Sequence, residues 1–203
     1  MKVIIPFKGL NPKSRLSRIL SRSEREGLAK RMLLDVVDSL KPFNYLIKII
    51  SPVKIEVKGV DVTLDDRGLD EIVSEEIQSP PCAVIMSDLP LLNKDVLTRF
   101  FETEGDVVIA PGRKGGTNML LVRKKGFKTS YHYGSFLKHV KIAEELGLKY
   151  AIFDSFYSFV DVDDEFDLLE LLIHGSGKRS KKFLEKIGFY VKFDKEPRLK
   201  RKF

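Results

Sequence analysis

The stretch "KVIIPFKGLNPKSRL" (residues 2–16) decides how the chain is read. Its first six residues form an apolar run, as a strand buried on both faces requires, and the run stops in a loop bearing Lys8, Lys13 and Arg15 ahead of a helix. A Walker loop would place a second glycine directly before Lys-Ser so that consecutive main-chain N–H groups could wrap a β-phosphate. Pro12 stands there and has no N–H, so the Walker reading fails. Two readings of the loop stay open: a triphosphate grip built from side-chain charge, and an ordinary solvated basic loop.

Outward from that loop, strand and helix patterns alternate to the end. Ser23 and Glu26 read as a capping box for a helix whose apolar face is Ala29, Met32, Leu33, Val36, Val37 and Leu40. "YLIKII" (45–50) and "IEVKGVDVTL" (55–64) read as strands, and "GLDEIVSEEI" (68–77) as a short helix. "CAVIM" (82–86) is a central strand that stops at "SDLP", with Asn93 capping a helix over 94–101. "DVVIAP" (106–111) and "NMLLV" (118–122) flank a glycine loop, and Ser135 caps a helix running to Leu146. "YAIFDS" (150–155) and "YSFVDVD" (157–163) read as two more strands before a helix from Glu165 to His174. The pattern predicts an α/β fold with a mostly parallel sheet, helices on both faces, and ligands at the carboxyl ends of the strands.

At 203 residues and 43% hydrophobic, the chain fits one domain with a real core. Neither a signal peptide nor a membrane span is visible, so residence in the cytoplasm is the default. Cys82 is the only cysteine, which excludes an intrachain disulfide and a thiolate metal cage, and its apolar setting reads as core. The net charge of +7 is local. Residues 178–203 hold 11 Lys and Arg against 3 acids, which leaves 25 against 26 elsewhere. That basic C-terminal extension reads either as solvated or as a contact for RNA or an acidic partner.

Three further strand-end loops carry chemistry. Asp88 leaves an apolar strand in "MSDLP", where an acid needs a cation or donor. "APGRKGGTN" (110–118) offers close backbone approach to an anion and short donors at Thr117 and Asn118, although a tight hairpin would use similar residues. Asp161 and Asp163, two apart in an extended segment, share a face as Mg²⁺ ligands would, while Asp163 or Asp164 alternatively caps the next helix. His132, His139 and His174 have no metal-ligand spacing, and no catalytic triad or dinucleotide fingerprint can be assembled. This inventory suits transfer between phosphates, where positioning and charge neutralisation do most of the work.

Taken together, "IPFKGLNPKSRL", "RGLDEI" (67–72), "SDLPLL" (87–92), "GGTNMLL" (115–121), "YGSFLKHVKIAEELG" (133–147) and "DVDDEFDLLELL" (161–172) resemble, in order, the 2-phospho-L-lactate guanylyltransferase family of coenzyme F(420) biosynthesis. The resemblance implies one nucleotidyltransferase domain over residues 1–203 with the basic extension at about 178–203. Its fold would be a three-layer sandwich with a mostly parallel mixed sheet, of the nucleotide-diphospho-sugar transferase (GT-A) type. It implies transfer of GMP from GTP to 2-phospho-L-lactate with release of pyrophosphate. On that analogy Lys8, Gly9, Lys13, Arg15, Gly68 and Asp88 bind the nucleotide, with Lys8, Lys13, Arg15 and Asp88 also catalytic. Asp88, Asp161 and Asp163 hold Mg²⁺. Gly116, Thr117, Asn118, Gly134 and Ser135 receive the acceptor. A homodimer is expected through exposed apolar helix faces. Alternatives are another acceptor in the same fold (phosphoenolpyruvate, 3-phosphoglycerate, a sugar 1-phosphate or a pterin phosphate), or a nucleic-acid-binding protein acting through the tail. Two departures stand out: the family's Thr-Pro-Glu-Asp-Leu run is "DEFDL" here, and Asp70 replaces a common asparagine.

Overall fold

Successive residues of the central strands feed two separate cores, which is why this sheet needs helices on both sides. In the computed structural model, which describes residues 1–202, β1 (Lys2–Pro6) sends Val3 and Ile5 to one core and Ile4 to the other. β4 (Cys82–Ile85) alternates likewise, with Ala83 and Ile85 opposite Cys82 and Val84. The first core is closed by α1 (Arg22–Leu40), α3 (Lys94–Glu102) and α6 (Glu165–His174), and the second by α2 (Leu69–Glu76) and α4 (Ser135–Glu145).

The remaining strands of this sheet are β2 (Leu46–Ser51), β3 (Asp61–Leu64), β5 (Val107–Pro111), β6 (Thr117–Val122) and β7 (Tyr150–Ile152), in the order β3-β2-β1-β4-β6-β5-β7. All neighbours are parallel except β6, which runs antiparallel to both β4 and β5. Because β6 is reversed, its amino end at Thr117 lies on the same sheet edge as the carboxyl ends of β1, β3 and β4. The α/β fold with a mostly parallel mixed sheet is therefore as the sequence predicts.

Several local expectations are corrected. The capping box of α1 is Ser21 with Glu24, two residues earlier than Ser23 with Glu26, because the extended backbone at Ser21 is where the helix begins. The third strand covers only Asp61–Leu64; before it, Val60 N–H donates to Val57 O across a turn eased by Gly59 at φ +75°. The segment 157–163 is no strand: α5 (Phe156–Phe159) is a single helical turn, and the acids that follow are held outside the sheet. Ser135 is the first helical residue of α4, and the cap position is Gly134 at φ +70°.

The basic extension is folded. α7 (Arg179–Lys186) packs on α1, where the buried carboxylate of Asp35 accepts from Arg179 N–H at 2.7 Å and Ser180 N–H at 2.9 Å. A hairpin of β8 (Phe189–Phe193) and β9 (Pro197–Arg201) follows, and Arg201 donates to Ile19 O at 2.8 Å and pairs with Glu24. Part of the tail's positive charge is thus paired internally, Arg201 with Glu24 and the Arg179 guanidinium with Asp38 at 2.7 Å. No helix among the described residues is long and apolar enough to cross a membrane.

Candidate active site

The loop after β1 turns its lysine inward by backbone conformation. Phe7 N–H makes a last rung to Ile50 O at 2.9 Å; the chain then bends through left-handed residues at Gly9 (φ +67°), Asn11 (φ +39°) and Lys13 (φ +55°). A Cβ at residue 9 would stand 2.3 Å from Val53 Cγ2, so glycine is required there by space as well as by φ. Lys13 heads a 3₁₀ turn over Ser14–Arg18 that Leu16, fully buried, anchors to the core. A lysine in the left-handed region is a strained arrangement of the kind retained at functional sites.

The strain is offset by charge. Lys13 Nζ lies 2.6 Å from Asp88 Oδ2 and 2.8 Å from Asp163 Oδ1, and the other oxygen of Asp163 accepts from Arg15 at 2.8 Å. Val162 N–H donates to Asp88 O at 3.1 Å, which pins the acidic segment beside the end of β4. Asp167 fixes the same segment from behind, accepting from the N–H groups of Asp163 and Asp164 at 2.8 Å each while pairing with Arg113. Asp164 is the helix cap and Asp163 is not.

Burial would lower the ammonium pKa of Lys13, but Asp88 and then Asp163 outweigh it and raise the value. Burial would likewise raise Asp163, yet Lys13 and Arg15 hold it below the ordinary carboxylate range. Asp161 has no such partner. Burial, followed by repulsion from Asp88, pushes its pKa up, and its Oδ1 is buried without a hydrogen bond.

Two cavities meet at this cluster. One of about 190 Å³ is lined by Lys8, Gly9, Lys13, Ser87, Asp88 and Asp163. Its neighbour of about 440 Å³ shares Lys8, Ser87 and Asp88 and adds the apolar walls Ile50, Leu69, Ile72 and Met86 with Asp65 and Arg67 at its mouth. Gly68 stands between two of those lining residues as the cap of α2. Arg67 is neutralised by Asp65 at 2.8 Å and by Glu71 and Glu75. Asp70 is turned away, accepting from Tyr131 N–H at 2.6 Å. A larger open cleft between α1 and α7 lies apart from Lys13, Asp88 and Asp163, and its Arg31, Lys178 and Arg179 are already hydrogen-bonded or paired.

The residues expected to receive an acceptor cluster at the adjoining edge, where Met86 N–H donates to Asn118 O at 3.0 Å. Gly112 and Gly116 close the glycine loop on each other, and a Cβ at Gly112 would sit 2.2 Å from Asn118 Oδ1. Asn118 spends its amide on Ser158 O and Phe159 O. Ser135 donates to Thr117 Oγ1 at 3.2 Å. Gly134 leaves the start of α4 without a side-chain cap, and a Cβ there would meet no heavy atom within 4 Å. An uncapped helix start facing open space can take an anion.

The sequence reading gives Arg113, Lys114 and Asp167 no role and takes His139 only as lacking metal-ligand spacing. The signals were present in part: Asp167 lies three residues after Asp164, which is capping-box spacing, and Arg113-Lys114 stand in the glycine loop that already pointed to anions. Lys114, at φ +56°, lies near enough to help lower the pKa of Asp163.

Among the described residues no three His, Cys, Asp or Glu side chains converge on one point. Mg²⁺ in nucleotide sites usually takes one or two carboxylates and completes its shell with phosphates and water. Asp88 together with the orphaned oxygen of Asp161 fits that pattern, whereas both oxygens of Asp163 are engaged by Lys13 and Arg15.

Residues 1–203 match the family model described as guanylyl transferase CofC like. The chain is 61% identical to the 2-phospho-L-lactate guanylyltransferase of Archaeoglobus fulgidus, over 100% of this chain and 98% of that one. It is 55% identical to the protein of that name from Ferroglobus placidus, over 99% and 100%. Among solved structures, a protein described as a nucleotide-diphospho-sugar transferase from Desulfovibrio desulfuricans superposes with a TM-score of 0.71 at 15% identity, covering 91% of this chain and 94% of that one. A nucleotidyl transferase from Methanothermobacter superposes with a TM-score of 0.54 at 9% identity, over 91% and 98%. These superpositions show that the chain shares the α/β fold of those two proteins.

Proposed function

The chain belongs to the CofC-like guanylyl transferase family, and from that premise we propose how its own residues transfer GMP from GTP to 2-phospho-L-lactate, with release of pyrophosphate, in F(420) biosynthesis. The observation that carries the site assignment is the inward ammonium of Lys13 between two carboxylates, at the junction of an apolar cavity and a small polar one.

An oxygen of the acceptor phosphate attacks the α-phosphorus of GTP. One P–O bond forms as the bond to the β-phosphate oxygen breaks, and pyrophosphate leaves with that electron pair. The attacking phosphate is already ionised at neutral pH, so no protein base is needed. Ile50, Leu69, Ile72 and Met86 receive the nucleoside, with Gly68 beside it, and Lys8, Gly9 and Lys13 grip the triphosphate from the small cavity, joined by Arg15 through its contact with Asp163 at 2.8 Å. Lys13, held charged by Asp88 and Asp163, exchanges their oxygens for phosphate oxygens as GTP enters, so that one set of anions replaces the other around the ammonium. Asp88 and Asp161 would hold Mg²⁺, which when bound neutralises phosphate charge. Asp163 then serves to aim Lys13 and Arg15. Thr117 and the main-chain N–H groups at the amino end of α4, which begins at Ser135 and is opened by Gly134, receive the acceptor anion, with Gly116 and Asn118 shaping the loop behind it. A cytosolic setting completes the proposal.

Purified protein with GTP and Mg²⁺ should release pyrophosphate only when 2-phospho-L-lactate is added, with phosphoenolpyruvate and 3-phosphoglycerate as comparison acceptors. Equal rates with all three would overturn the acceptor assignment. Asp88→Asn and Asp161→Asn should each remove most of the activity, and full activity in both would overturn the carboxylate roles.

A further inference from the structure

His139 is fully buried on α4 and takes no part in the reaction described above. Its ring lies between Phe127, with centroids 5.9 Å apart, and Tyr131 at 5.0 Å. Ser130 N–H points at Nε2 from 2.9 Å. A main-chain N–H can only donate, so Nε2 must present a bare lone pair and the single proton of the neutral ring must sit on Nδ1. Burial pushes the ring pKa down to about 4, so the neutral form persists through the working range.

The consequence falls on Thr117, whose Oγ1 is 2.9 Å from His139 Nδ1. With the proton fixed on Nδ1, that contact runs from histidine to threonine. Ser135 Oγ donates to the same oxygen at 3.2 Å. Both lone pairs of the Thr117 hydroxyl are then used, its own proton must point elsewhere, and no carboxylate or carbonyl among the described residues accepts it. A hydroxyl ordinarily rotates between giving and receiving; this one can only give. Beside it stands the uncapped start of α4, with open space at Gly134.

We propose that His139 is a positioning residue that makes Thr117 an obligate hydrogen-bond donor aimed at the anionic group of the acceptor. The inference rests on the acceptor placement given under Proposed function. Its value to the reaction is selectivity by charge: an anionic oxygen is welcomed at Thr117, and a hydroxyl or amide that must itself donate there is not.

Two measurements test it. Nitrogen-15 imidazole spectra of the whole protein should show His139 protonated on Nδ1 and bare on Nε2 at neutral pH; an Nε2–H or doubly protonated ring overturns the proposal without reference to activity. In steady-state kinetics, Thr117→Val should raise the acceptor KM by roughly tenfold or more and leave the GTP KM unchanged, as loss of a bond to a charged group would. His139→Phe should raise the acceptor KM in the same selective way by about fivefold. His139→Asn, which restores a donor near the Nδ1 position, should recover part of that loss. If Thr117→Val leaves the acceptor KM untouched, the acceptor placement fails and the inference with it. If Thr117→Val raises it and His139→Phe does not, or if His139→Phe moves both KM values together, the role of His139 alone fails. Should His139→Phe not fold, the spectra of the native protein and the Thr117→Val kinetics still decide.

Discussion

Lys13 Nζ and Asp88 Oδ2 are 2.6 Å apart, a contact that ties the loop after the first strand to the loop after the fourth across 75 residues of sequence. The pair neutralises an acid beside a cavity, and under the proposed function it also holds a cation where a phosphate can displace the acid.

Replacing Lys13 by Met should therefore harm stability and activity together. Asp88 is 27% and Asp163 32% exposed, so the loss of stability is set at ~1–2 kcal/mol, below the cost of breaking a fully buried pair. Pyrophosphate release should fall by ~100-fold, the scale for removing a preorganised charge at a transferring phosphoryl group. The stability gap has a defined pH window. The raised pKa of Lys13 means its contribution is present below the ordinary value of 10.5 and lost as pH rises through the folded value. The lowered pKa of Asp163 means its share is present above 3.8 and lost as pH falls through the folded value. Denaturation of both proteins at pH 3, 7 and 11 checks this; a gap independent of pH would exclude the ion pair as its source.

Asp161→Asn should stabilise the protein while removing activity. The raised pKa shows that the ionised carboxylate is disfavoured in the fold, so the native protein bears that cost above the folded pKa and not below the ordinary value of 3.8. The variant should melt a few degrees higher at pH 7 and lose this advantage at acid pH, as a gain of about 1 kcal/mol would give. An unchanged melting temperature at pH 7 would place the carboxylate in a solvated setting.

Gly9→Ala tests the turn that points Lys13 inward. The φ of +67° and the 2.3 Å approach of a Cβ to Val53 predict a loss of about 1–3 kcal/mol and a raised KM for GTP. Val53→Ala in the same chain relieves the clash but not the φ, and should restore only part of the stability. Complete restoration would mean that the backbone conformation is unimportant.

Asp35→Ala tests whether the basic C-terminal segment belongs to the fold. The carboxylate satisfies two main-chain N–H groups at the start of α7, so its loss should cost about 2–3 kcal/mol and expose residues 178–202 to proteolysis. Unaltered protease resistance of that segment would leave the cap without energetic weight.

Much of this was legible in one dimension. Val3, Ile4 and Ile5 in an unbroken apolar run demand burial on both faces, and the alternation with helices demands a mostly parallel sheet, so the edge where the strands' carboxyl ends gather was legible from the sequence. Asp88 and the loop from Lys8 to Arg15 were placed there by the same rule. Boundaries were less secure: Ser21 and Ser23 both have valid capping partners three residues on, and only the backbone conformation at Ser21 chooses between them.

What local pattern could not supply was partnership at a distance. Nothing near Asp163 in the chain says that Lys13, 150 residues away, occupies its oxygen, or that Asp161 two residues earlier is left without a donor. Nor does the run of cations after residue 178 reveal that the carboxylate capping it lies at Asp35 in the first helix. Periodicity and turn chemistry act over a few residues and are written in the sequence, whereas the protonation of His139, the orphaned oxygen of Asp161 and the direction of Lys13 depend on which distant groups packing brings within hydrogen-bonding reach.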